Sequence, residues 1–158
     1  QARALPLASH DDATRAHVEQ AVENGMTIAE FPTTREAAQA SREGGLAVLV
    51  GAPNLVLGGS HSGNIAAIDL LRDGQADILS SDYVPASLME SVFGLPAAGI
   101  GISLPEAVRL ASLNPAQAVG LSDRGEIAAD RRADFVRVRH HDDAPLVRAV
   151  WREGERVV

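Results

Sequence analysis

The chain has 158 residues, a formal net charge of −7, 46% hydrophobic and 3% aromatic residues, and no cysteine. The acidic balance argues against non-specific nucleic-acid binding, which uses Lys and Arg to neutralise phosphates, and the scarcity of aromatics argues against base-stacking platforms. Without cysteine there is no disulfide, thiol nucleophile or Cys-ligated zinc, a composition that fits a reducing cytoplasm.

In chain order, Ala4-Leu5-Pro6-Leu7-Ala8 is a short apolar run, followed by cap candidates Asp11 and Asp12 and a predicted helix from Ala13 to Asn24 that stops at Gly25. Met26-Thr27-Ile28-Ala29 is the second run. Thr33 or Thr34 then caps a helix over Arg35 to Glu43, stopped by Gly44-Gly45. Leu46 to Val50 is the third run. A Gly-rich loop from Gly51 to Gly63 leads to a helix from about Asn64 to Arg72, and Ala76 to Ser80 is the fourth run. Short apolar runs alternating with helices predict βαβ units and a parallel sheet. Four units make half of an eight-stranded barrel or a small open sheet, and composition leaves both open.

The remainder reads differently. Ser87 to Phe93 is a short predicted helix. Ser103-Leu104-Pro105-Glu106 opens another, with Ser103 as N-cap and Glu106 completing a capping box. Asn114-Pro115 breaks it, and Ala116 to Val119 adds one turn. Gly125-Glu126-Ile127, Ala133 to Val138 and Leu146 to Trp151 read as strands, and Glu153-Gly154-Glu155 as a turn before Arg156-Val157-Val158. The tail is thus a small β appendage. No apolar run approaches the ~20 residues that span a bilayer, so no membrane association is expected. Gln1 to Pro6 lacks the apolar core of a signal peptide. It also lacks an initiator Met, so the chain is expected to begin partway through a longer protein.

The polar residues fall in consistent places. His10 follows the first run, Glu30 ends the second, His61 lies in the loop after the third, and Asp82 follows the fourth. In a parallel α/β sheet these are carboxyl ends of strands, the side on which ligand and metal sites lie. Imidazole and carboxylate suit a divalent transition metal. Each residue also has a structural reading: His10 bonded to the start of its helix, Glu30 paired with Arg35, Asp82 capping a turn before Pro85. Gly58-Gly59-Ser60-His61-Ser62-Gly63-Asn64 is a candidate phosphate-binding loop. Its glycines let backbone N–H groups approach a ligand, Ser and Asn add hydrogen bonds, and the predicted helix after it turns its N-terminus toward an anion. It is not a Walker A loop, because the chain contains no Lys. Its structural reading is a flexible loop with Asn64 as helix cap.

Several of these segments resemble the amidohydrolase superfamily. The C-terminal part carries Leu104-Pro105-Glu106-Ala107-Val108-Arg109-Leu110-Ala111-Ser112-Leu113-Asn114-Pro115-Ala116, then Arg124-Gly125-Glu126-Ile127, then Ala133-Asp134-Phe135-Val136, with Asp130 standing where the family pattern usually has Gly. Ser9-His10-Asp11-Asp12, Ala29-Glu30-Phe31-Pro32-Thr33-Thr34, Gly51-Ala52-Pro53-Asn54, the Gly58 to Asn64 loop and Ser80-Ser81-Asp82-Tyr83 are similar to its phosphonate-metabolism branch.

The resemblance implies an α/β fold comprising the C-terminal half of a TIM-like metal-dependent hydrolase barrel, about four βα units over residues 1–122. A small β appendage would follow over 123–158. It implies a divalent metal, zinc foremost with manganese or iron as alternatives. His10 and Asp82 would be ligands, Glu30 and His61 further candidates, and Asp82 the catalytic proton acceptor. Glu30 stands where many members carry a second His. Gly58, Gly59, Ser60, His61, Ser62, Gly63 and Asn64 would hold a phosphorylated small molecule. The implied reaction is phosphoanhydride hydrolysis releasing diphosphate from a ribose 5-triphosphate. The alternatives are carbon–nitrogen hydrolysis in a cyclic amide or amine, which the Gly58 to Asn64 loop counts against, and a non-catalytic truncated domain. The family's first-strand His pair is not in this sequence. The isolated chain is therefore expected to be an incomplete piece with weak or no catalysis, completed by the missing half of the barrel or by self-association into a homo-oligomer.

Overall fold

A computed structural model describes residues 5–60, 63–141 and 144–158. The chain divides into two compact units, one reaching Leu88 and the other running from Met89 to Val158.

The first unit is a four-stranded parallel sheet, β1 (Ala8–His10), β2 (Ile28–Glu30), β3 (Ala47–Gly51) and β4 (Ile78–Ser80), in the spatial order β1-β2-β3-β4. Helices α1 (Arg15–Glu23), α2 (Arg35–Glu43), α3 (Ala52–Val56) and α4 (Ala67–Arg72) fill the crossovers. Parallel crossovers are right-handed, so a strand order that never reverses puts every crossover on one face of the sheet. This is the winding of a barrel sector. An open doubly wound sheet would reverse its order.

Burial follows that winding. Cross-strand neighbours Ser9, Ala29 and Val48, and Val50 and Leu79, share one face, and all are buried. Ala29 clusters there with Ala21 of α1 and with Leu46, so this is the helix-covered face. The opposite face carries Ala8, His10, Glu30, Ala47, Leu49, Gly51 and Ser80, none of which is fully buried, together with the buried Ile28 and Ile78. Val18 of α1 packs on Ala37 and Ala40 of α2. Small alanines at these positions let the two helices approach closely. Ionic contacts link successive units: Arg15 to Glu43, Arg35 to Asp73, and Arg42 to Asp77.

Sequence punctuation set most of the boundaries. α2 spans the predicted Arg35–Glu43, with the Thr34 hydroxyl accepting the Ala37 N–H at 3.1 Å. α1 is capped by Thr14, whose hydroxyl accepts the His17 N–H at 3.3 Å, and not by Asp11 or Asp12; Asp11 is turned into the left-handed region at φ 58°. The predicted loop after β3 holds the unpredicted α3, opened by Pro53 in its first turn. α4 begins three residues later than expected, since the Ile65 N–H is held by the Thr33 carbonyl at 3.0 Å and Ala66 is extended.

The second unit contains α5 (Ser87–Gly94, whose first two residues belong to the other unit), a 3-10 turn (Leu95–Ala97), α6 (Leu104–Ala111) and α7 (Leu113–Ala118). A three-stranded antiparallel sheet follows, β5 (Phe135–His141), β6 (Ala144–Arg152) and β7 (Glu155–Arg156). The predicted capping box of α6 is present: Glu106 Oε2 accepts the Ser103 hydroxyl at 2.6 Å and the Ser103 N–H at 2.7 Å. The break after α6 falls at Ser112, and Pro115 sits in the first turn of α7, where it lacks no bond. Gly125-Glu126-Ile127 is not a strand; Ile127 is 88% exposed with no neighbouring strand to pair it. Phe135 and Trp151 oppose each other in the β5–β6 ladder and stack at 4.7 Å, a pair worth about 0.5–1.5 kcal/mol beyond its buried area. None of the described helices is long and apolar enough to cross a membrane.

Two measurements test this account. Gly125 has φ 96°, and a Cβ there would lie 2.8 Å from the Leu113 Cα and 3.1 Å from the Ser112 carbonyl oxygen. Gly125→Ala is expected to destabilise the second unit by about 2–4 kcal/mol in urea unfolding; an unchanged midpoint would refute the packing. The Ser103 hydroxyl, and then its N–H, hold the Glu106 carboxyl below its ordinary value of 4.5. A depressed carboxyl contributes stability above that pH and loses it as pH falls through the folded value. Glu106→Gln should therefore be less stable than wild type near neutrality, with the two unfolding curves converging in acid.

Candidate active site

Three chain reversals build the site. Immediately after β1 the chain turns at Asp11 (φ 58°), after β2 at Phe31 (φ 55°), and beyond β4 at Asp82 (φ 47°). Left-handed backbone is uncommon outside glycine and is a genuine strain for a bulky residue such as Phe31. Such strain concentrates at functional sites. The turns are held by backbone bonds: the Asp11 N–H to the Glu30 carbonyl at 3.0 Å, and the Phe31 N–H to the Leu49 carbonyl at 2.9 Å. The Asp82 N–H donates to the Ser80 hydroxyl at 3.1 Å.

A cavity of about 360 Å³ opens between these strand ends. His10, Gly59, Ser60, Asn64 and Asp82 line it together with Asp11, Phe31, Gly51, Asn54 and Tyr83. The sequence-derived candidates after three different strands therefore meet at one place. Gly58, Gly63 and Glu30 are not among its lining residues. His61 and Ser62 lie outside the described residues.

His10 Nδ1 is 3.1 Å from Asp11 Oδ2, and His10 Nε2 is 3.9 Å from Glu30 Oε2. The Phe31 ring meets the imidazole edge-on, with centroids 5.6 Å apart and planes at 89°. A Cβ on Gly51 would sit 3.6 Å from the Phe31 ring and 3.8 Å from Asp82 Oδ2. Gly51 thus leaves a floor between Phe31 and Asp82 that a larger side chain would fill. The structural readings of the individual residues are not what the geometry shows. Arg35 pairs with Asp73 and not with Glu30. The turn before Pro85 is closed by the Val84 N–H on the Ser81 carbonyl and by the Ser87 hydroxyl on the Val84 carbonyl, at 3.0 and 2.6 Å.

Imidazole and carboxylate are the right donor types for a divalent metal, but their number falls short. Catalytic zinc takes three protein ligands, and among the described residues no group of three His, Asp or Glu side chains is placed to hold a metal ion. The helix after the loop starts with one of its donors already committed. The first N–H of α4, that of Ala67, is taken by Asn54 Oδ1 at 2.9 Å, and α4 is only six residues long. Sequence reasoning passed over Phe31, Gly51, Asn54 and Tyr83 as lining residues. The Glu-Phe-Pro and Gly-Ala-Pro-Asn tracts directly after two apolar runs were the available signal.

The family model described as "Amidohydrolase family" matches residues 7–158. The chain belongs to this family. It is 53% identical over 158 residues to the alpha-D-ribose 1-methylphosphonate 5-triphosphate diphosphatase of Escherichia coli, covering 99% of this chain and 42% of that protein. An amidohydrolase structure from Thermotoga maritima superposes with a TM-score of 0.73 at 24% identity, over 97% of this chain and 43% of the other. A Xanthomonas campestris adenosine deaminase with bound zinc superposes with a TM-score of 0.62 at 18% identity, over 96% of this chain and 45% of the other. At such identities the two structures bear on the fold alone, and they agree with a partial barrel followed by a small β appendage. The chain spans less than half the length of each of these proteins.

Asp82 offers a clean test of site against scaffold. Asn tolerates the left-handed region nearly as well as Asp. Asp82→Asn should keep its unfolding midpoint to within about 0.5 kcal/mol, whereas Asp82→Ala should lose roughly 1 kcal/mol or more. Equal stability of the two variants would show that the reversal at Asp82 is unstrained.

Proposed function

We propose that this chain supplies the substrate-holding and proton-accepting part of a diphosphatase of phosphonate metabolism, hydrolysing a phosphoanhydride bond of α-D-ribose 1-methylphosphonate 5-triphosphate to release diphosphate. The observation that carries the reading is the shared cavity: His10 and Asp82 line the same space as Gly59, Ser60 and Asn64 of the glycine loop. The 53% identity to the E. coli diphosphatase supports the substrate.

In this reading the Asp82 carboxylate accepts the proton of the attacking water. Its Oδ2 faces the open floor above Gly51, and a general base must stand within hydrogen-bond reach of the proton it takes. Gly59, Ser60 and Asn64 hold phosphate oxygens through N–H and O–H donors, with His61 and Ser62 as further members of the loop. Phe31 holds the His10 ring in place by its edge-on contact. A divalent metal, zinc foremost with manganese or iron as alternatives, would use His10 and Asp82, with Glu30 as a third candidate, and needs ligands beyond the described residues. The partly uncovered sheet face and the outer positions of β1 and β4 in the described sheet support closure by further barrel strands or by a second copy, since open edges are an aggregation liability. The protein would work in the cytoplasm.

The test is diphosphate release from the ribose triphosphate by the protein as its gene encodes it, supplied in turn with each metal. Turnover is expected, falling at least about 100-fold in Asp82→Asn and likewise in His10→Ala. An Asp82→Asn protein as fast as wild type would overturn the assignment of the base. No diphosphate release with any of the metals would overturn the reaction.

A further inference from the structure

The cavity has an electrostatic peculiarity. Its described lining holds the carboxylates of Asp11 and Asp82 and the imidazole of His10, but no Arg, and the chain contains no Lys. Any anion bound there meets no permanent side-chain cation from the described residues. Among the described side chains only neutral donors are available to it, and a neutral donor is useful only where its direction is fixed, because a freely turning amide offers oxygen as readily as N–H.

Asn54 meets that condition. Its backbone carbonyl accepts the Gly59 N–H at 2.9 Å, and its side-chain Oδ1 accepts the Ala67 N–H, also at 2.9 Å. The two bonds tie Gly59 and the first residue of α4 to a single residue. The Ala67 N–H can be satisfied only by an oxygen, so the carboxamide cannot reverse without leaving two donors face to face. With the oxygen committed, the amino group is what this side chain has left to offer the cavity it lines.

We propose that Asn54 is a specificity-determining residue. By accepting the Ala67 N–H with Oδ1 it fixes Nδ2 as a hydrogen-bond donor to a phosphate oxygen, so that the described side chains of the cavity select polyphosphate esters using neutral donors. The proposal rests on the phosphorylated-substrate reading above and adds a residue and a mode of recognition to it.

Asn54→Asp separates the two roles of the side chain. Aspartate keeps an oxygen for the Ala67 N–H and removes the donor, whereas Asn54→Ala removes both. Binding of magnesium tripolyphosphate is measured by calorimetry, and closure of the loop by hydrogen exchange of the Ala67 amide. The expected result is binding weakened about 10- to 100-fold in Asn54→Asp, with the Ala67 amide as protected as in wild type and the deficit persisting near 1 M salt, where the screening length is about 3 Å. Wild-type binding by Asn54→Asp overturns the proposal and leaves Asn54 a clamp alone. A deficit that vanishes in high salt overturns it too, since charge repulsion would then account for the loss. So does an Ala67 amide that exchanges as fast as in Asn54→Ala, because the loop would then have opened. Wild-type protein, as its gene encodes it, that ignores tripolyphosphate sinks the phosphate reading itself, a failure distinct from these three.

Discussion

Parallel strands joined by right-handed crossovers can add to a sheet in only one direction without reversing order. In the first unit β1, β2, β3 and β4 never reverse. The helices therefore lie on one face, and every strand delivers its carboxyl end to the same rim. All else at the site depends on this. Residues as far apart in sequence as His10 and Asp82 share a cavity because each stands at or just beyond the carboxyl end of its strand.

The rim is then shaped by conformation more than by side-chain bulk. Asp11, Phe31 and Asp82 take left-handed backbone where an ordinary turn would use glycine. Each lies at a point where the strand must end abruptly while a functional side chain stays in place. Gly51 works the opposite way, at the one strand end of the first unit whose chain continues directly into a helix. It contributes space, bounded by the Phe31 ring and the Asp82 carboxylate. Asn54 ties Gly59 and Ala67, both lining residues of the cavity, to a single position. The site is thus a product of backbone geometry at four consecutive strand ends, with few ionic contacts of its own.

Much of this was legible in the sequence because its signals are local. Threonine caps, paired glycines and apolar runs gave α2 to the residue and the four strands to within a few positions. The placement of His10 and Asp82 on one rim followed from the alternation of runs and helices. What was not legible depends on partners distant in the chain. The late start of α4 comes from the Thr33 carbonyl, and the occupation of its first N–H comes from Asn54. No periodicity announces either bond. Gly125-Glu126-Ile127 has strand composition but no neighbour to pair with, and β propensity reports packing more than backbone preference. Phe31 was hidden for a similar reason: the proline after it favours extended backbone, and its left-handed turn is held by the distant Leu49 carbonyl.

Those left-handed residues carry an evolutionary consequence. Each costs of order 1–2 kcal/mol against its relaxed backbone, a large share of the 5–15 kcal/mol by which a domain is stable. A change to glycine at any of the three would relieve that strain, and selection for stability alone would favour it wherever the relief exceeds the extra entropy glycine loses on folding. Aspartate and phenylalanine at such positions are therefore a debt held against selection for robustness, and a chain freed from its chemistry would be expected to settle it first at Asp11, Phe31 and Asp82.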